Sequence, residues 1–427
     1  MGDTVHILVA DYVPLANKGE EAIVRGMADL LGQGRLVRLG VFGLVEQPET
    51  VGNITVFPWF WIFRAQGNRS LKGKQRLLHD ILLSCQMRLG YLGPVKHLQA
   101  PGCRDRQPLV DFFQAADLIL VGHDGVFCTE SCAVIHLAKR SGKRVGILGA
   151  SATLAPKARA YKGWLYRRAL TESDFCLVRE HYAQQSLAAV AADPNTIKVA
   201  PDPAFAMQPA SRDDVECLLA PYERFQAARQ AGRPIIAATV LEAGRVYAGF
   251  RPELNGEEKR RAHASYLATI FSTLVEETQA LILFLPHSIE QYGNDVQAAQ
   301  RVVSLMPAAK DSTLILDRDL DARMLKGIVQ TCDFLVGQRT HSLIGSVSMA
   351  TPFIGLTNRA DTRTHGIIGV MCECEKQLID MDTVDTKSTS QRVQTQYAKR
   401  AELSTHLQSV RVKLMGELQT AAAVVWG

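Results

Sequence analysis

Short apolar runs alternate with longer amphipathic stretches along most of the chain. Apolar runs of this kind predict buried strands and apolar residues at helical spacing predict helices, so the alternation is typical of an α/β protein. The predicted strands are Val5–Ala10, Val37–Val41, Leu118–Val121, Arg144–Leu148, Phe175–Val178, Ile197–Val199, Ile235–Thr239, Ala280–Leu285, Leu314–Ile315, Phe334–Gly337 and Phe353–Gly355. The predicted helices are Gly19–Leu31, Cys132–Ser141, Leu154–Glu172, His181–Val190, Glu257–Glu277, Gly293–Leu305, Asp319–Gln330, His341–Met349 and Gln394–Gln419.

The 427 residues are too many for one ordinary hydrophobic core, so two domains are expected. Because both halves repeat the α/β pattern, we predict two doubly wound, Rossmann-like domains that face a cleft holding the active site. The predicted boundaries are an N-terminal domain over 1–205, a connection over 206–232, a C-terminal domain over 233–393 and a C-terminal helix over 394–427.

One stretch, about 53–106, fits the α/β pattern poorly and is predicted to be an insertion with its own helix at Lys74–Arg88. It contains the aromatic cluster Pro58–Arg64, which basic residues follow. Aromatic side chains beside basic ones suit the interface of a membrane, where rings and cations both find partners. The alternative is that the aromatics pack on the domain's own core or on a second subunit.

Composition narrows the class of protein. Lys and Arg exceed Asp and Glu by 48 − 43 = 5, without a dense basic run, which argues against a nucleic-acid partner. No apolar run is long enough to span a bilayer, and the start, MGDTVHILVA, is predicted to be a strand rather than a signal peptide. Nine scattered cysteines fit reduced thiols, and neither of the two close pairs, Cys128/Cys132 and Cys372/Cys374, has a matching second pair at zinc-site spacing. We expect a cytoplasmic protein without a bound metal, with peripheral contact at the inner membrane face left open.

The segment Val336–Leu356 is the most informative part of the chain, because Arg339 and His341 stand at the junction of a predicted strand and helix. The free N–H groups at such a junction favour an anion. Arg adds a fork of donors for phosphate or carboxylate, and His adds a proton that moves near neutral pH. The alternative is that Arg339 pairs with a structural carboxylate while His341 only caps the helix.

Other polar residues follow predicted strands of the first half. Gly122 and Gly125 flank His123 and Asp124, so backbone could approach a ligand closely while His and Asp serve acid–base chemistry. Neighbouring residues of an extended loop point apart, so a relay between His123 and Asp124 is not expected. Arg179 follows its strand as a second candidate anion clamp, with a structural ion pair as the alternative.

Three further segments carry weaker signals. Asn17 and Gly19 open the first predicted helix, where they could contact a ligand or only cap the helix. In Asp202–Phe205, proline stiffens the turn and Phe205 is expected to anchor the loop in the core. His287 ends a strand of the second half and brings another imidazole to the predicted cleft.

Taken in order, these segments resemble the polysaccharide pyruvyl transferase family over roughly Val5 to Gly369, with the Arg-x-His segment as the most specific part. The matching segments are Asn17–Ala22, Gly122–Gly125, Leu177–Glu180, Asp202–Phe205 and Arg339–Leu356. The resemblance implies a GT-B-like pair of Rossmann-type domains. It also implies transfer of the enolpyruvyl unit of phosphoenolpyruvate onto two hydroxyls of a sugar, which leaves a cyclic ketal and phosphate.

By this resemblance Arg179, Arg339 and His341 would hold phosphoenolpyruvate, and a lysine common in the family would fall near Arg363. Our hypothesis makes His341 the acid or the phosphate-neutralising group. The groups that serve the acceptor hydroxyls are left open among His123, Asp124 and Glu290. The remaining candidate substrate contacts are Asn17, Gly19, Gly122, Gly125 and His287. No cofactor is implied, since phosphoenolpyruvate is the donor substrate.

Two other functions stay open. A nucleotide-sugar glycosyltransferase has the same two-domain shape, and Glu290 or Asp295 could then bind the ribose hydroxyls. A non-catalytic partner in glycan assembly would keep the fold and lose the reaction. The expected partners are phosphoenolpyruvate and a sugar or lipid-linked glycan, as in exopolysaccharide synthesis, and a homo-oligomer stays open.

Overall fold

The computed structural model describes residues 4–58, 78, 107–125, 127–152, 154, 156–241, 249–289 and 294–427. The chain divides into two compact units, and each takes segments from distant parts of the sequence. The first unit comprises Met1–Leu15, Ile23–Pro203 and Glu417–Gly427. The second unit comprises Ala16–Ala22 and Ala204–Gly416.

The first unit is built on an eight-stranded sheet with the order β3-β4-β2-β1-β5-β6-β7-β8. The strands are β1 (Val5–Tyr12), β2 (Val37–Gly43), β3 (Glu49–Val51), β4 (Ile54–Pro58), β5 (Leu118–Val121), β6 (Val145–Ala150), β7 (Phe175–Val178) and β8 (Ile197–Val199). Every described pairing is parallel except that of β3 with β4. The order reverses beside β1, so the sheet is doubly wound with its switch point between β1 and β5.

Helices follow the parallel strands of this sheet, and the central strands are buried on both faces, which explains their continuous apolar runs. The helices are α1 (Lys18–Gly32), α2 (Gln107–Ala115), α3 (Thr129–Arg140), α4 (Pro156–Glu172) and α5 (His181–Ala188), with short 3₁₀ turns at Pro194–Thr196 and Pro203–Phe205. The first turn of α1 groups with the second unit.

The second unit is built on a six-stranded parallel sheet with the order β11-β10-β9-β12-β13-β14. The strands are β9 (Ile235–Thr239), β10 (Leu281–Phe284), β11 (Thr313–Ile315), β12 (Phe334–Gly337), β13 (Phe353–Thr357) and β14 (Leu378–Asp380). The order reverses beside β9, which places the switch point between β9 and β12.

The helices of the second unit cover this sheet and bury an apolar core against it. They are α6 (Arg212–Leu219), α7 (Glu223–Gln230), α8 (Gly256–Thr278), α9 (Asp295–Ser304), α10 (Ala322–Gln330), α11 (Thr340–Met349), α12 (Thr362–Thr364), α13 (Thr386–Ala398) and α14 (Arg400–Trp426). A π-helix at His365–Met371 continues α12, and 3₁₀ turns lie at Pro307–Ser312 and Glu375–Gln377. No helix in the described part of the chain is long and apolar enough to cross a membrane.

The predicted α/β architecture of two doubly wound bodies is confirmed, and the differences are local. The sequence prediction missed β3, β4 and β14, of which β3 is exposed along its length and therefore lacks an apolar pattern. The start of the predicted insertion, 53–58, is thus largely sheet. The predicted connection 206–232 contains α6 and α7 of the second unit. The helix predicted at Lys74–Arg88 and nearly all of the aromatic cluster lie outside the described residues.

Candidate active site

The Arg-x-His segment lies at the switch point of the second unit. Strand β12 ends at Gly337, and Arg339 is the N-cap residue of α11, with extended backbone at φ −100° and ψ 122°. Gln338 donates its N–H to the Thr239 carbonyl at 3.0 Å, which fixes the segment against the neighbouring strand end. Ligands of doubly wound sheets bind at such points, so the fold places Arg339 where a ligand contact is expected.

The guanidinium of Arg339 forms a two-point ion pair with Asp295. Its Nε donates to Oδ2 of Asp295 at 3.1 Å, and its Nη2 donates to Oδ1. The Arg339 side chain is 24% exposed, whereas that of Asp295 is 1% exposed. No described residue forms a hydrogen bond with Nη1 of Arg339. One edge of the guanidinium is therefore anchored by Asp295.

Asp295 also holds the loop that follows β10. Its Oδ2 accepts the backbone N–H groups of His287 at 2.9 Å and Ser288 at 3.0 Å. Its own N–H donates to the Ser288 carbonyl at 2.9 Å. Burial raises the pKa of the Asp295 carboxyl, and Arg339 with the two backbone donors acts against that rise. This residue thus joins the start of α9, the His287 loop and Arg339.

His287 is a buried, neutral imidazole. Burial lowers its pKa to about 3, and the positive charges of Arg339 and Lys18 act in the same direction. Its Nδ1 lies 3.3 Å from the carbonyl oxygen of Leu285, which can only accept, so Nδ1 carries the hydrogen. The neutral ring therefore offers Nε2 as a hydrogen-bond acceptor.

His341 lies in the first turn of α11 and shares a small cavity, of about 20 Å³, with His287, Lys18 and Lys326. That volume is sufficient for about one water molecule. The imidazole of His341 packs directly on the backbone of Gly19, because a Cβ built there would lie 2.9 Å from the ring carbon Cγ. The close backbone approach predicted for Gly19 is thus made to His341.

The turn before α1 is tied into the second unit by hydrogen bonds. Oδ1 of Asn17 accepts the Gly19 N–H at 3.1 Å, which is the predicted capping geometry. Lys18 donates its N–H to the His287 carbonyl at 2.9 Å, and its Nζ lies 2.6 Å from Asp319. Whether Asn17 and Gly19 also contact substrate stays a prediction.

Lys326 is a buried cation that the sequence analysis did not identify. Its Nζ donates to the backbone carbonyls of Ala204 at 3.2 Å and Phe205 at 3.1 Å, and also to that of Met207. The loop after Pro203 is therefore held by a lysine, while Phe205 is buried in the core as expected. Lys326 lies on the amphipathic helix α10, and the sequence pattern predicts that a lysine on such a helix faces solvent.

Arg363 lies on a segment that is bonded to the start of α11. Oγ1 of Thr340 is 2.6 Å from Oγ1 of Thr364, so the turn that follows β13 is fixed beside the Arg-x-His segment. The Arg363 side chain is 40% exposed, and its Nε lies 3.9 Å from Asp361. A second partly exposed cation is thus positioned within the same unit.

In the first unit, His123 pairs with Asp11, which the sequence analysis missed. Both side chains are buried, and Nδ1 of His123 lies 3.5 Å from Oδ2 of Asp11. Asp11 also accepts the Gly122 N–H and, at 3.3 Å, the hydroxyl of Ser131. Asp11 directly follows the predicted strand Val5–Ala10 and lies near the carboxyl end of β1, so its position after a strand was visible in the sequence and was overlooked.

Arg179 is the centre of a buried ion cluster. Nη1 donates to Oδ2 of Asp202 at 2.7 Å, Nη2 donates to Oδ1 of Asp124, and Nε donates to the Ser151 hydroxyl at 2.7 Å. The side chain is 0% exposed. Burial lowers the pKa of Arg179, but Asp124 and Asp202 outweigh it and raise the pKa above its ordinary value. This geometry fits the structural ion pair rather than a ligand clamp.

His123 and Asp124 have different partners, although the loop is not extended as expected, since Asp124 has a left-handed backbone with φ +48°. Gly122 has a φ of +80°, which favours glycine, and a Cβ there would lie 3.1 Å from Phe127. At Gly125 a Cβ would meet no described atom within 4 Å, so no close approach requires a glycine there. Glu290 lies outside the described residues. Within the described ranges no cluster of His, Cys, Asp or Glu could hold a metal ion.

With this geometry described, comparison with known proteins decides the family. The sequence model of the polysaccharide pyruvyl transferase family matches residues 17–359, which is most of the chain. The protein belongs to the polysaccharide pyruvyl transferase family. The matched range contains Arg179, Arg339 and His341, and membership makes this chain a transferase of polysaccharide biosynthesis. No curated protein matches this pyruvyl transferase family member in sequence.

Solved structures show the fold of this family member to be of the GT-B type. An α,α-trehalose-phosphate synthase (UDP-forming) from Burkholderia vietnamiensis is 11% identical with a TM-score of 0.52, over 99% of this chain and 96% of that one. The N-terminal domain of trehalose-6-phosphate phosphatase from Candida albicans is 10% identical with a TM-score of 0.54, over 99% and 96%. At such low identity the likeness concerns the fold alone.

Proposed function

We propose that this pyruvyl transferase family member uses phosphoenolpyruvate as donor and forms a cyclic pyruvyl ketal on two hydroxyls of a sugar. The observation that carries the proposal is the guanidinium of Arg339. Asp295 holds its Nε and Nη2, while Nη1 has no partner among the described residues and the side chain is 24% exposed. An arginine anchored in this way presents a fixed donor to a phosphate or carboxylate.

Phosphoenolpyruvate carries two anionic groups, so a second cation is required. Arg363 supplies it in this proposal, since its segment is bonded to the start of α11 through Thr340 and Thr364. Arg179 is not used, because its three guanidinium nitrogens all face side chains of the protein. The N-terminus of α11 adds its free N–H groups and the positive end of its dipole.

The reaction balances with acid–base chemistry alone. His341 in its protonated form donates a proton to the methylene carbon of phosphoenolpyruvate, which makes C2 an oxocarbenium-like centre. One sugar hydroxyl attacks C2 and loses its proton. The second hydroxyl then replaces the phosphate and gives its proton to it, so that HPO₄²⁻ leaves, while the proton of the first hydroxyl replaces the one that His341 donated. General acid and base assistance of this kind contributes about 10²–10⁴-fold each.

His287, which lines the same cavity as His341, has its pKa lowered to about 3 by burial and is therefore suited to accept a hydrogen bond at Nε2 rather than to act as the acid. His123 and Asp124 make their described contacts to Asp11 and Arg179 within the first unit. The identity of the sugar and its linkage are not part of the proposal.

A thermal-shift titration tests the donor. Phosphoenolpyruvate should raise the Tm of the wild-type protein, and Arg339→Ala should greatly reduce the shift, because a ligand stabilises only the state that binds it. The matched control is Arg224→Ala, which removes an arginine from an exposed pair with Asp311 in the same unit and should leave the shift intact. A Tm shift with UDP-glucose and none with phosphoenolpyruvate would refute the proposal in favour of a glycosyltransferase.

A further inference from the structure

We propose that Asp295 is a positioning residue that fixes the guanidinium of Arg339 so that its Nη1 corner is presented to the anionic donor. This inference rests on the proposed function only for the identity of that anion. A carboxylate at the start of a helix ordinarily caps that helix. The contacts of Asp295 show that it holds Arg339 and the loop after β10 instead. Here Asn294 is the cap, accepting the N–H of Val296 at 2.9 Å.

Both oxygens of the Asp295 carboxylate accept hydrogen bonds from Arg339, and Oδ2 also accepts from the backbone. Oδ2 receives three donors, namely the backbone N–H groups of His287 and Ser288 and Nε of Arg339. Oδ1 receives Nη2 of Arg339. Two parallel bonds fix the plane of a guanidinium as well as its position. Because Asp295 is itself held by the loop after β10, the plane of Arg339 is set by the scaffold before any anion arrives.

The same contacts place the other cavity groups. The backbone of His287 is fixed on one side by Asp295 and on the other by Lys18, whose N–H donates to the His287 carbonyl. The His287 ring and Arg339 are therefore positioned by a single buried carboxylate. Preorganisation of this kind lowers the entropic penalty of binding, and a displacement of about 1 Å costs up to about 10²-fold in rate.

The informative variant is Asp295→Asn, which conserves shape. The amide oxygen can take the place of Oδ2 and keep the backbone donors of His287 and Ser288, whereas the amide NH₂ then faces Nη2 of Arg339, donor against donor. The loop contacts survive and the two-point pair is broken. We expect about 10-fold weaker binding of phosphoenolpyruvate by isothermal titration, with KM raised more than kcat is lowered.

A double-mutant cycle separates positioning from a general structural effect. If Asp295 acts through Arg339, then Asp295→Asn should weaken binding about 10-fold in the wild-type background and leave it unchanged in the Arg339→Ala background. The control is Asp311→Asn, which removes the carboxylate of an exposed arginine pair in the same unit and should alter neither binding nor KM.

Each outcome of the cycle has one meaning. If phosphoenolpyruvate binds and the Asp295→Asn effect is absent or equal in both backgrounds, positioning is refuted and the proposed function stands. If phosphoenolpyruvate does not bind but inorganic phosphate or UDP-glucose binds through Arg339, the proposed function fails. The double-mutant cycle is then run with the probe that binds, and an Asp295→Asn effect that disappears in the Arg339→Ala background supports positioning, whereas an equal effect refutes it. If none of the three probes binds the wild-type protein, both proposals are overturned.

Discussion

Substitution of Arg179 by methionine is expected to destabilise the first unit severely. The variant removes the cation from Asp124 and Asp202, and the Asp202 side chain is 0% exposed, as is that of Arg179. Breaking a buried ion pair by removing one partner costs about 3–5 kcal/mol, because a charge is left buried without compensation. That loss is a large fraction of the roughly 5–15 kcal/mol that stabilises a typical domain.

Urea denaturation followed by tryptophan fluorescence measures this effect, because Trp164 and Trp426 both belong to the first unit. The expected change is a fall of about 1–2.5 M in the urea midpoint, taking m as about 2–3 kcal/mol/M. Arg38→Met, at an exposed position of β2, is the control and should leave the midpoint unchanged.

A variant that removes carboxylates together with Arg179 tests the same reasoning about buried charge. Adding Asp124→Asn and Asp202→Asn to Arg179→Met removes the cation together with the two carboxylates bonded to it, and only Glu180, 4.0 Å from Nε of Arg179, keeps its charge. Replacing the partners of a buried ion pair together is far less damaging than removing one of them. The triple variant should therefore recover most of the lost stability. If Arg179→Met keeps the wild-type midpoint and loses only phosphoenolpyruvate binding, the reasoning is refuted and Arg179 is a ligand clamp after all.

Two further predictions concern the second unit. Gly19→Ala should lower both Tm and activity, because the added methyl group would collide with the His341 ring. The control Gly416→Ala, on an exposed helix face, should be neutral or slightly stabilising. Equal effects of the two substitutions would contradict the packing argument. Burial lowers the pKa of His263 to about 3 in the folded state, whereas the unfolded chain binds the proton near pH 6.5. The free energy of unfolding is therefore unaffected by this residue above pH 6.5 and falls by up to about 1.4 kcal/mol per pH unit between pH 6.5 and 3. His263→Gln should flatten the loss of Tm between pH 7.5 and 5.5, and exposed His181→Gln should not; parallel profiles would show that His263 does not titrate as described.

Most of the sheet could be predicted from the sequence, because buried parallel strands are continuous apolar runs bounded by polar residues. Strand β7 illustrates this, since its four residues are all buried and a charged residue stands at each end. The pattern fails at an edge. Strand β3 is exposed throughout, so nothing in its hydropathy distinguishes it from a loop.

The candidate site could be predicted only in part, because sequence shows which charges exist and not which charges meet. The positions of Arg339 and His341 followed from the strand-to-helix junction. Their partners could not be predicted, since Asp295 precedes Arg339 by 44 residues and lies at a helix start, where a capping acid is ordinary. The difference between Arg339 and Arg179 is likewise invisible in sequence, because it depends on how many carboxylates the fold brings to each guanidinium.

The last helix has a consequence for how the chain is made. Its final turns group with the first unit, where Nε of Arg144 donates to the Val425 carbonyl at 2.6 Å and the Trp426 indole donates to Leu31 at 3.2 Å. A ribosome releases these residues after all the others in this sequence, so the first unit cannot complete its contacts while the second is still being synthesised. Expression of residues 1–203 alone would therefore yield the first unit without the segment 417–427 that completes it.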